Sequence, residues 1–149
     1  MAAPSSRQVV YKYPKKSISK EIITIGGPVN ANSPADQNVF SAAFPCTVGA
    51  IRLDISTDAV TPLYYVVMVI RDGQALPSIN ISPGQPTITP EKDVFSCGIV
   101  ETNTSLYTIS IKTKRKMQLG DSLTVMFYND SGTALNVKGV CQFFIWVLS

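Results

Sequence analysis

The stretch KTKRKMQLGDSLTVMFYNDSGTALNVKGVCQFFIW, from Lys112 to Trp146, decides the reading of the fold. Its middle is a hairpin. Ser122 to Tyr128 runs one way, Asn129-Asp130-Ser131-Gly132 turns the chain, and Asn136 to Leu148 runs back. The returning strand is apolar on both faces, because Phe143, Phe144, Ile145 and Trp146 follow one another. A solvated edge could not hide all four, so this strand is expected in the centre of a sheet. Either Phe144, Trp146 and Leu148 or the opposite set, Phe143, Ile145 and Val147, then needs cover beyond its own sandwich.

Leu63 to Ile70 poses the same problem. Tyr65, Val67 and Val69 point one way, and Tyr64, Val66, Met68 and Ile70 the other. Leaving such a face wet would promote aggregation. Tyr64, Val66, Met68, Phe144 and Trp146 are therefore expected to contact another copy of the chain. Cover by the chain's own Pro-rich loop is the competing reading.

The other segments read as shorter strands. Val48 to Ile55 alternates with one wet side, Phe95 to Val100 is short, and Leu106 to Thr113 alternates again. Glu21 to Ile25 is expected to stop at Gly26-Gly27-Pro28, and Val39 to Phe44 is expected to form a short strand. Val9 to Tyr13 reads as a short strand or as a segment lying on a partner. Residues 28 to 38 and Ala75 to Thr89 read as loops, the second carrying Pro77, Pro83 and Pro86. No segment sustains a helical period over three turns. About eight short strands and long connections predict an all-β antiparallel jelly-roll sandwich rather than an immunoglobulin sandwich, since the sole Trp lies beyond all three cysteines.

Composition narrows the function. Charged residues make up 15% of the 149-residue chain, below the usual ~25%, which leaves much of the surface neutral. The charge is uneven. Residues 1 to 20 carry Arg7, Lys12, Lys15, Lys16 and Lys20 and no acid, while the remainder holds eight basic and ten acidic residues. The chain therefore divides into a basic N-terminal arm, 1–20, and a shell domain, 21–149. Arm cations displace counterions from phosphates, although a solvated tail would look the same. A second cluster, Lys112 to Lys116, places Lys112, Lys114 and Lys116 on one face of a strand and Arg115 on the other. It reads either as a phosphate contact or as a charged edge that blocks wrong pairing. Tyr11 and Tyr13 offer base stacking or packing against the shell.

Catalysis finds little footing. There is no histidine, which removes Ser-His and Cys-His triads and the commonest metal ligand. Gly26-Gly27-Pro28 matches no phosphate loop. Asp54 with Asp58, and Glu91 with Asp93, read as turn and strand-end chemistry. Cys46, Cys97 and Cys141 match no zinc spacing and read as reduced thiols. No apolar segment follows the first residues, so folding inside a cell is expected and the three Asn-X-Ser sequons are read as chance. No run is long enough to cross a bilayer as a helix. No enzyme activity, cofactor, metal site or membrane insertion is expected.

Four phrases in series resemble the capsid proteins of small circular Rep-encoding single-stranded DNA viruses. They are Val69-Ile70-Arg71-Asp72-Gly73-Gln74 with Pro77; Pro90-Glu91 with Val94; Thr113-Lys114-Arg115-Lys116-Met117 with Gly120-Asp121; and Val137 and Gly139 with Gln142-Phe143-Phe144-Ile145. Together they cover about Leu63 to Trp146. The resemblance implies a single eight-stranded jelly roll, a homo-oligomeric icosahedral shell of about sixty copies, a packaged single-stranded DNA (RNA remaining open), and residence in a virion. The nucleic-acid contacts are then expected at Arg7, Lys12, Lys15, Lys16, Lys20, Lys114, Arg115 and Lys116. The arm departs from the family's Arg-rich pattern: sixty arms at +5 bring about 300 charges, against one per nucleotide. A second architecture, the trimeric binding module of the complement-C1q and tumour-necrosis-factor group, shares the Gly-Asp turn and the aromatic C-terminal strands. A glycan-binding sandwich is disfavoured, because the Trp lies in an apolar strand.

Overall fold

Two strands apolar on both faces need neighbours on both sides, and each has them. The computed structural model describes residues 16–58, 63–73, 78–82, 85–89, 94–100 and 106–148. They form ten strands: β1 (Lys16–Val29), β2 (Ser33–Ser41), β3 (Cys46–Thr57), β4 (Leu63–Ile70), β5 (Ser78–Ser82), β6 (Gln85–Thr89), β7 (Val94–Val100), β8 (Tyr107–Met117), β9 (Ser122–Asn129) and β10 (Leu135–Leu148). Eight of them make two antiparallel sheets. The first has the order β1-β10-β3-β8, and the second β2-β9-β4-β7. Both doubly apolar strands, β10 and β4, are internal. The β5–β6 hairpin is inserted between β4 and β7.

Every step between sandwich strands changes sheet except β4 to β7. That weave is the eight-stranded jelly roll, two Greek keys folded face to face. Its core is one cluster between the sheets. Ile51, Leu53, Cys141, Phe143 and Ile145 project from the first sheet, and Tyr65, Val67, Leu123, Val125 and Phe127 from the second. Phe40 and Phe143 close the gap between the sheets with tilted rings 5.8 Å apart. Burying such side chains contributes roughly 1.5–3 kcal/mol each.

Three segments differ from expectation. β1 does not stop at Gly26-Gly27-Pro28; it pairs with β10 through Val29. Gly26 lies at φ +122, and an added Cβ would meet the Val137 carbonyl, so only glycine lets the strand pass. β2 occupies residues read as a loop. It is an edge strand, where Pro34 leaves no ladder bond unmade. Its Gln37 side chain accepts from the Gly26 N–H at 2.6 Å and donates to the Gly26 carbonyl at 2.8 Å, which ties β2 to β1. The Pro-rich stretch contains a hairpin rather than loop alone. β1 also begins at Lys16, inside the segment read as an arm.

Candidate functional site

Alternation along the strands sorts the first sheet into a core face and an outer face. On the outer face, Ile18, Lys20, Ile22 and Thr24 of β1 lie beside Trp146, Phe144, Gln142 and Val140 of β10. β3 continues these rows with Thr47, Gly49, Arg52 and Asp54. β8 completes them with Lys116, Lys114, Ser110 and Thr108. Two rows thus read Ile18, Trp146, Thr47, Lys116 and Lys20, Phe144, Gly49, Lys114. Lys112, Lys114 and Lys116 stand on alternate residues of β8, about 7 Å apart, at the outer edge of the sheet.

A β-bulge at Gly49-Ala50 shapes the middle of this face. The register of β3 slips there against both neighbours, and Ala50 takes φ 49. The Trp146 ring lies over Gly49, where a Cβ would meet it at 2.4 Å and the Thr113 carbonyl at 2.5 Å. The Phe144 and Trp146 rings are 6.4 Å apart and tilted by 33°. Both are half-buried, while Ile18 and Ile22 are 57% and 60% exposed.

The charges on this face are one-sided. Among the described residues it exposes six cations, Lys20, Arg52, Lys112, Lys114, Lys116 and Lys138, and two carboxylates, Asp54 and, at the end of β3, Asp58, which accepts from the Asn136 N–H. Asp54 is already engaged by Arg52 at 3.1 Å and by the Thr108 hydroxyl at 2.6 Å. Arg115 points away from the lysine row. Its guanidinium lies 6.0 Å from the centre of the Phe95 ring, on the opposite face of β8.

The second sheet's outer face differs. Tyr64, Val66 and Met68 are buried within the single chain, and Val66, Met68 and Met126 form a second apolar cluster with Ile70 and Val94. They offer no exposed surface to another copy. Phe144 and Trp146 lie on the other sheet, so the five residues expected to contact another copy sit on opposite sides of the sandwich. The described positions of this second face include Asp36 and no Lys or Arg.

Sequence reasoning missed the main polar centre. Asp121 is 3% exposed and sits in the turn between β8 and β9. Its Oδ2 accepts from Arg71 Nη1 at 2.6 Å and from the Gln118 N–H at 2.9 Å. Its Oδ1 accepts from the Asp72 N–H at 3.1 Å. Burial pushes this carboxyl up. The hydrogen bonds from Gln118, Arg71 and Asp72, with the Arg71 charge, outweigh it and hold the group below its usual range. The same turn is sewn to the β2–β3 loop by Ala42 N–H to Asp121 O and Gly120 N–H to Ala42 O, both 2.9 Å. Arg71-Asp72-Gly73 and Gly120-Asp121, two phrases quoted separately above, are therefore one device. Phe44 and Leu119, 51% and 63% exposed, flank it at this end of the sandwich.

The remaining candidates stay apart. Cys46 and Cys141 are buried, and burial pushes the Cys141 thiol up to about 12; Cys97 is exposed. Among the described residues no three His, Cys, Asp or Glu side chains gather as a metal site, and no helix is long and apolar enough to cross a membrane. Asn129, in one sequon, is fully buried and donates to Val29, Asn30 and Thr133 carbonyls. Arg7, Tyr11, Lys12, Tyr13, Lys15, the Val9–Tyr13 segment, Glu91 with Asp93, Pro77 and the Pro90-Glu91 phrase lie outside the described residues, as does the side chain of Lys16.

No protein-family model matches the chain, and no curated protein matches it. Among solved structures, it is similar to a chain from the structure of infectious bursal disease virus, Gx strain. The TM-score is 0.48 and the identity 7%, over 92% of this chain and 33% of the viral one. It is also similar to a protein of Bacillus endospore appendages, described as a novel family of disulfide-linked pili. There the TM-score is 0.45 and the identity 14%, over 93% and 96% of the two chains. Both likenesses concern the arrangement of strands and leave function to the chain's own surfaces.

Proposed function

We propose that this chain is a structural subunit, a viral capsid protein whose jelly roll self-assembles into a small closed shell around a short single-stranded nucleic acid. The observation that carries the reading is the difference between the two outer faces. One exposes six cations and two carboxylates, each already hydrogen-bonded; the described part of the other carries no Lys or Arg. A shell enclosing a polyanion needs that polarity, one face turned inward and one outward. The four phrases resembling circular single-stranded DNA virus capsids support the same reading. In this reading the protein is not an enzyme. Phe44 and Leu119, exposed together at one end, are suited to contacts between subunits.

Size is the test. Sixty copies of a 16.1 kDa chain form a particle near one megadalton, visible as round shells by negative-stain microscopy. A trimer of the C1q type would run near ~50 kDa. A stable monomer or trimer at high concentration across a range of salt would overturn the capsid reading.

A further inference from the structure

We propose that the outer face of the first sheet is a stacking platform for single-stranded nucleic acid. The phosphates follow Lys112, Lys114 and Lys116, and bases lie on Trp146 and Phe144. The inference deepens the capsid reading and rests on it for the source of the nucleic acid; the geometry stands separately.

Three features of the face point to this ligand. Its cations form a line along β8, so they follow a chain of phosphates rather than converge on one anion. The aromatic pair runs parallel to that line, two strands inward. Lys116 shares a row with Trp146 and Lys114 with Phe144, each about 10 Å apart between backbones. A nucleotide with its phosphate on the lysine reaches the ring with its base. Gly49 stands between Lys114 and Phe144, and the absence of a side chain there lets the Trp146 ring lie low over β3. Ile18 and Ile22 extend the apolar floor beyond the rings.

Other occupants fit less well. A second copy packed face to face would set six cations against six, with two carboxylates on each side, Asp54 already paired to Arg52 and Asp58 to the Asn136 N–H. A duplex keeps its bases stacked inside and would use only the lysines, leaving the rings idle. An anionic membrane would satisfy the charges and is separated by experiment.

The chain has a single tryptophan, so Trp146 fluorescence reports this face and no other. The full chain is titrated with a 20-mer of deoxythymidine, with a duplex of equal length, and with phosphatidylserine vesicles. Quenching of Trp146 by the single strand, saturating with binding measured by anisotropy, is expected. The duplex should quench several-fold less. Lys112→Ala/Lys114→Ala/Lys116→Ala should lower the salt dependence of log K by about two, from ~0.7 per phosphate contact. Phe144→Leu keeps the floor apolar and should weaken single-strand binding about tenfold, with the salt slope unchanged. Arg7→Ala/Lys12→Ala/Lys15→Ala should weaken binding while leaving the quenching at saturation intact.

Tight binding of the 20-mer without quenching, and with the β8 triple variant unaffected, would overturn the platform while leaving the shell reading standing. A blue shift with vesicles and no response to the single strand would overturn it in favour of a membrane. Trp146 emission that changes with protein concentration alone would overturn it in favour of a subunit contact. The wild-type quenching needs no variant, so misfolding of a mutant does not blunt the test. If the platform binds but no megadalton particle forms, the capsid reading fails alone.

Discussion

Asp121 stays charged although it is almost closed off from water, because three donors converge on its two oxygens. Asp121→Asn leaves those donors poorly matched and takes a charged partner from Arg71. It should lower stability at pH 7 by about 3 kcal/mol, read as a shift of the urea midpoint. The pH dependence has a definite sign. The folded pKa lies below the unfolded value, so this contribution is complete above about pH 4 and is lost as pH falls through the folded pKa. Wild type and Asp121→Asn should converge in stability at the acid end. Gly120 belongs to the same device: at φ +90 its missing Cβ would stand 2.6 Å from the Asp72 carboxyl carbon. Gly120→Ala should cost more than ~1 kcal/mol by thermal melting. Thiols give a simpler readout. A bulky maleimide should label one cysteine, Cys97, in the folded protein and all three after denaturation. The residues of the Asp121 device were readable as phrases, but their link was not. Forty-nine positions separate Asp72 from Asp121, and no local pattern announces that a turn will be held by a carboxylate from another turn.

Strand β3 shows what an element can hide. Its alternation was legible, and the inward set Ile51, Leu53 and Ile55 is buried as the period requires. The bulge at Gly49-Ala50 was not legible, since the Trp146 ring that lies over it comes from a strand almost a hundred residues away. Gly49→Ala should therefore destabilise by about 2 kcal/mol in a urea melt and change the emission of Trp146, because the Thr113 carbonyl on the far side cannot yield. β4, β9 and β10 were readable because they are internal and rich in apolar side chains, so burial leaves its mark on composition. β2 was not readable. It lies at an edge and directs Ala35, Gln37 and Val39 toward the core, and the glutamine does its structural task through an amide rather than through apolar area. Pro28 and Pro34 signal breaks in isolation, yet both sit in edge strands that tolerate a missing donor.

At the scale of the whole molecule the main property is polarity. Lys20, Arg52, Lys112, Lys114, Lys116 and Lys138 come from four strands, and sequence order alone does not place them together. Reading along the chain assigned the basic character to the N-terminal arm and left the body near neutral. Folding sorts that neutral body into a cationic side and another without described cations. Replacing Lys112, Lys114 and Lys116 by Glu should leave unfolding free energy within about 1 kcal/mol. If the chain forms the proposed shell, the variant particles should nevertheless lose nucleic acid, seen as a fall in absorbance at 260 nm relative to 280 nm. If such particles fill as wild type does, the cationic side has no part in packaging.

The pairing of β1 with β10, from Lys16 opposite Leu148 to Val29 opposite Leu135, also sets an order of events during synthesis. β10 is the last of the described strands to leave the ribosome, and among the described residues it is the only neighbour β1 has in its sheet. Until it emerges, β1 has no ladder to join and the floor carrying Phe144 and Trp146 does not exist. A growing chain therefore cannot display its finished cationic side to a polyanion or to a neighbour. The side comes into being in one late step, once β10 has been translated, and refolding dominated by such distant pairings belongs in the millisecond-to-second range.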